Sequence, residues 1–97
     1  MATISEDIRA RREEILAIAA RHGAHNVRIF GSVARGEAGP DSDLDLLVDA
    51  GPNTTPFFPG GLVADLEALL GRRIDVVELE GLYSFVRDRV LREAVPL

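Results

Sequence analysis

Two aspartates separated by one leucine, Asp43-Leu44-Asp45-Leu46, carry the clearest chemistry in this sequence. Side chains alternate across a strand, so Asp43 and Asp45 share one face and the leucines share the other. The leucines can then pack inward while the carboxylates project together, about 7 Å apart along the chain. Carboxylates this close repel unless a cation sits between them. A hard, oxygen-seeking ion such as Mg²⁺ is the natural occupant. A third acid, Asp75, lies among apolar residues in Arg73-Ile74-Asp75-Val76-Val77 and joins the same face if the two strands are neighbours. Three carboxylates on adjacent strands are suited to two metal ions that activate an attacking oxygen and steady charge on a transferring phosphorus.

Upstream of the pair lies Gly31-Ser32-Val33-Ala34-Arg35-Gly36. Gly31 permits close approach of backbone to a ligand. The Ser32 hydroxyl and the following amides can donate to phosphate oxygens. Arg35 offers a fork of donors for the same phosphates. A phosphate cradle joined by one loop to a metal-binding strand describes a site for a nucleoside triphosphate and its metal.

The elements that must position these groups follow from the hydrophobic pattern. Thr3 and Glu6 fit a capping box, and Ile4, Ile8, Ile15 and Ile18 recur at helical spacing, which predicts a helix over about 4–22. Strands are predicted over 26–30, 43–49 and 73–79. Residues 32–42 read as a loop that opens with one helical turn. The stretch 51–61 holds Pro52, Pro56, Pro59, Gly60 and Gly61 and reads as irregular chain. Leu62, Leu66, Leu69 and Leu70 give a helix ending at Gly71, and Leu82, Val86, Val90 and Ala94 a last helix ending at Pro96. Strands two and three, joined by a helix, should be parallel with a right-handed crossover. Strands one and two, joined by a loop, should be antiparallel. The expected architecture is α/β of the α+β kind: a small mixed sheet with helices on one face, in the order α-β-β-α-β-α.

The bulk properties narrow the function. With 97 residues the chain suits one domain, expected over 1–97. It has no cysteine, which excludes disulfides and thiolate metal sites and agrees with a cytoplasmic location. No apolar run is long enough to span a membrane. The net charge of −5 argues against stable nucleic-acid binding. The basic clusters Arg9–Arg12 and Arg87–Arg92 read as solvated helix faces. Asp41 and Ser42 read as turn formers, Glu37 and Asp49 as surface acids, and His22 and His25 as helix-end residues without a metal. Tyr83 reads as half-buried. Phe57 and Phe58 either staple the irregular segment to the core or mark a partner surface.

Taken together, Gly31-Ser32, the ten-residue loop, Asp43-Leu44-Asp45-Leu46, the later Asp75 and the tail Leu91–Leu97 resemble the DNA polymerase beta-like nucleotidyltransferases. The likeness is to their smallest members, the minimal nucleotidyltransferases, and covers nearly the whole chain. It implies a two-layer nucleotidyltransferase fold. It implies that Gly31 and Ser32 hold the triphosphate, with Arg35 as a further phosphate contact, that Asp43 and Asp45 bind two Mg²⁺ ions, and that Asp75 is the third catalytic carboxylate. It further implies AMP transfer from ATP to a hydroxyl of a protein, with a HEPN-domain ribonuclease toxin as partner and this chain as antitoxin. Two other outcomes stay open: a non-catalytic antitoxin that covers the toxin, and transfer to RNA or a small molecule.

Overall fold

The computed structural model describes residues 6–39 and 42–97. The expected cap at Thr3, the apolar position Ile4 and the turn residue Asp41 lie outside them.

The N-terminal helical pattern folds as two helices, α1 (Glu6–Ala10) and α2 (Arg12–Arg21). Arg11 interrupts them: its N–H bonds back only three residues, to the Ile8 carbonyl at 3.1 Å. Ile8 and Ile15 are fully buried on either side of the break. The hydrophobic spacing is continuous through the break, which is why the pattern reads as one helix. Gly23 follows with φ +85 and leads directly into β1 (Ala24–Phe30).

A single helical turn, α3 (Gly31–Ala34), leaves β1 and buries Val33 and Ala34. Then come β2 (Leu44–Ala50), α4 (Gly60–Leu70), β3 (Ile74–Glu78), a 3-10 turn at Leu79–Gly81 and α5 (Ser84–Glu93). Gly71 ends α4 in the left-handed region, φ +67, where glycine carries no Cβ penalty. A last short strand, β4 (Val95–Pro96), was not expected from the sequence; two residues, one of them proline, give no strand signal.

The sheet order is β3-β2-β1-β4. β1 pairs antiparallel with β2 and with β4, and β2 pairs parallel with β3, as the connecting segments require. Leu44, Leu46 and Val48 face α2 and α4 and form the main core with Ile29, Leu62, Leu66, Ile74 and Val76. The alternate positions Asp45, Leu47 and Asp49 point to the other face, where Leu47 is also fully buried.

The irregular segment is held at the end of the sheet where β1 begins and β2 ends. Gly51 N–H bonds the Gly23 carbonyl at 2.7 Å. The His22 ring lies 2.7 Å from Thr55 Oγ1 through Nδ1 and 2.8 Å from Asp65 Oδ2 through Nε2, so one imidazole ties α2 to this segment and to α4. Phe58 packs on the core, while Phe57 is 92% exposed and Tyr83 81% exposed, more than half-burial would allow.

Candidate active site

Asp45 is the second residue of β2 and its direct partner in the parallel ladder is Asp75 of β3. The register therefore places both carboxylates on one face at one level. Asp43 sits two residues earlier, just before the strand. The backbone there is still fixed, because Leu44 N–H bonds the Arg73 carbonyl at 2.9 Å. Arg73 Nε approaches Asp43 Oδ1 at 3.7 Å, both side chains well exposed.

The charges act on Asp45. Its carboxyl is pushed above the ordinary aspartate value, first by burial and then by the negative charges of Asp75 and Asp43. Glu93 adds to the same effect, and Arg35 is the opposing cation. Among the described residues no three acidic or histidine side chains already form a closed metal cage. Asp45 and Asp75 are paired, while Asp43 lies at the exposed edge beside Arg73. The donor set nevertheless fits a hard divalent cation: oxygen ligands only, with unbalanced negative charge around a partly buried Asp45.

Gly31 closes the site from the other strand. Phe30, the last residue of β1, pairs with Asp45, so Gly31 leaves the sheet beside that carboxylate. Its φ of +76 favours glycine, and a Cβ built there would collide with Asp45 Oδ2. The glycine thus serves twice, in conformation and in clearance. Ser32 is half-buried, and its hydroxyl makes no hydrogen bond among the described residues. Its carbonyl accepts from Glu37 N–H at 2.9 Å, which turns the chain back after α3.

Arg35 is held by two acids. Nε donates to Glu37 Oε1 at 2.9 Å and Nη1 donates to Glu93 Oε1 at 2.6 Å. The hydrogen bond to Glu37 is foremost in holding the guanidinium more firmly cationic than usual. The same Glu93 oxygen also accepts the Gly31 N–H at 2.8 Å. Glu93 was not singled out as a site residue in the sequence. A signal existed: an acid in the last helical turn opposes the helix dipole, and calls for a partner.

Ser42 does more than turn the chain. Its Oγ accepts Gly39 N–H at 2.9 Å, and its carbonyl accepts Arg72 Nη2 at 2.7 Å. Both contacts brace the approach to Asp43. Asp49 lies at the opposite end of β2, bonded to Asn26 at 2.9 Å and Arg28 at 2.8 Å, away from Asp45.

Comparison with known proteins bears on the family and the fold. The family model of the nucleotidyltransferase domain matches residues 12–97. The protein adenylyltransferase MntA of Thermococcus cleftensis is 46% identical over 77 residues, covering 77% of this chain and 76% of its own. A solved structure classed as a minimal nucleotidyltransferase is 55% identical, with a TM-score of 0.85, covering 95% of this chain and 94% of its own. A toxin-antitoxin complex solved with AMP-PNP shares the fold at 20% identity and a TM-score of 0.74, covering 87% of this chain and 69% of its own. With Gly31, Asp45 and Asp75 meeting at one end of a β3-β2-β1-β4 sheet, the chain belongs to the nucleotidyltransferase domain family and is a minimal nucleotidyltransferase.

Proposed function

We propose that this chain transfers AMP from ATP to a hydroxyl of a protein partner, and that the partner is a HEPN-type toxin for which the chain is the antitoxin. The observation that carries the chemistry is the pairing of Asp45 with Asp75 beside the Gly31 turn. The protein acceptor is supported by the adenylyltransferase relative and by the likeness of fold to toxin-antitoxin complexes. No helix among the described residues is long and apolar enough to cross a membrane. The cytoplasm, where ATP is available, suits the reaction, and residues 1–97 act as one domain.

Asp43 and Asp45, with Asp75, are the residues suited to hold divalent cations. Mg²⁺ held by these residues would supply charge neutralisation for the triphosphate and would favour loss of the acceptor hydroxyl's proton. Gly31 leaves backbone room for the phosphates, Ser32 Oγ donates a hydrogen bond, and Arg35 brings a fixed positive charge. Asp75 is placed to accept the acceptor's proton as its oxygen attacks the α-phosphorus and pyrophosphate leaves. Most of the rate then comes from alignment and from charges already in position.

The test is incubation with α-labelled ATP, Mg²⁺ and the HEPN-type partner. Wild type should label the partner covalently, and Asp45→Asn should not. The variant is isosteric and relieves repulsion from Asp75, so it should melt no lower than wild type. Equal labelling by both proteins would refute the assignment of Asp45. Toxin neutralised by wild type without any label would favour the covering antitoxin.

A further inference from the structure

We propose that Glu93 is the positioning residue for this site: it sets Arg35 against the nucleotide's phosphates. The proposal rests on the reading of the site as a nucleotide site. One oxygen, Glu93 Oε1, receives both the Gly31 N–H at 2.8 Å and Arg35 Nη1 at 2.6 Å. The guanidinium is thereby registered to the backbone of the very turn that lies on Asp45. Glu37 holds Nε from the other side at 2.9 Å. A guanidinium has five N–H donors, so Nη2 and the second Nη1 hydrogen remain for an external anion. Arg35 is about half exposed, which leaves that side open.

An alternative role for Glu93 is a plug, an internal carboxylate that occupies the phosphate position until nucleotide displaces it. The fold argues against it. Glu93 is the last residue of α5, and two residues later Val95 pairs with Ile29 of β1. The carboxylate is thus anchored between a helix end and a sheet partner, with little freedom to swing away. It is also only a quarter exposed. An acid at a helix C-terminus is disfavoured by the helix dipole, and the paired hydrogen bonds offset this.

The experiment is a double-mutant cycle on binding of Mg·ATP and of Mg·tripolyphosphate, measured by calorimetry with wild type, Glu93→Gln, Arg35→Ala and the double variant. If Glu93 acts through Arg35, Glu93→Gln should weaken both probes about tenfold in the wild-type background and hardly at all in the Arg35→Ala background. Glu93→Asp should keep part of the affinity. Unchanged or tighter binding by Glu93→Gln overturns the proposal, and tighter binding would identify a plug. Equal losses in both backgrounds also overturn it and leave a purely structural role; melting temperatures of all four proteins accompany the cycle. If wild type binds neither probe, the nucleotide reading itself fails; if wild type binds and only the coupling is absent, the failure is confined to Glu93.

Discussion

At the scale of residues, the site turns on one contact that leaves no slack. Gly31 has φ +76 and its missing Cβ is the space filled by the Asp45 carboxylate. Gly31→Ala must bear left-handed strain of about 1–2 kcal/mol and also displace Asp45. Gly39, exposed and with open space around its Cα, is the natural control. Denaturant unfolding should show Gly31→Ala destabilised by about 1–3 kcal/mol and Gly39→Ala near neutral, with labelling lost only in the first. Similar values for the two variants would contradict the contact. The carboxylate alternation and the special glycine were legible in the sequence because period-two patterning and a Gly-Ser step are local signals. The contact between them was not, since it depends on how β1 and β2 are registered. Glu93 was hidden for the same reason: it is 62 residues from Gly31.

At the scale of elements, β1 and β2 were readable almost to their ends, and their antiparallel pairing followed from the loop that joins them. The far end of this pair has its own lock. Asn26 stands at φ 54, at a point where the register shifts between His25 and Arg28, and its side chain reaches Asp49. Asn26 first, then Arg28, holds the Asp49 carboxyl below its ordinary value. A carboxyl depressed in the folded state stabilises the fold above its unfolded value, near pH 4. That stabilisation is lost as pH falls below about 4 and on through the lower folded value. Asp49→Asn should cost about 1 kcal/mol at pH 7 and less as the pH drops below 4. Melting curves between pH 3 and 7 would decide this, and curves that stay parallel throughout would rule it out. The His22 clamp was not legible, because it joins α2 to a segment and a helix far along the chain.

At the scale of the whole molecule, a net charge of −5 is concentrated in part at the candidate site. Asp43, Asp45, Asp75 and Glu93 all bear on one end of the sheet, with Arg35 as the internal counter-charge that bears on Asp45. Under the proposed function, such a molecule should be steadied by a divalent cation bound among these carboxylates. Ligand at ten times its dissociation constant adds about 1.4 kcal/mol, worth several degrees for a domain this small. MgCl₂ should therefore raise the melting temperature of wild type by several degrees above NaCl of equal ionic strength. Asp43→Ala/Asp45→Ala should show no such difference. An identical rise in both proteins would reduce the effect to general screening.

The strand order has a consequence for how the site comes apart. Asp45 belongs to the central strand β2 and the turn at Gly31 leaves the central strand β1, while Asp75 lies on the edge strand β3 and Glu93 leads into the opposite edge, β4. Edges open before centres. Amide hydrogen exchange in β2 should therefore be slower than in β3 and β4. The protein would hold the Asp45 carboxylate and its glycine turn in a slow-exchanging frame, while Asp75 sits on a margin that opens first. A metal or a nucleotide that bridges Asp45 to Asp75 would sew one margin to the frame, and a protection gain confined to β3 would be its signature.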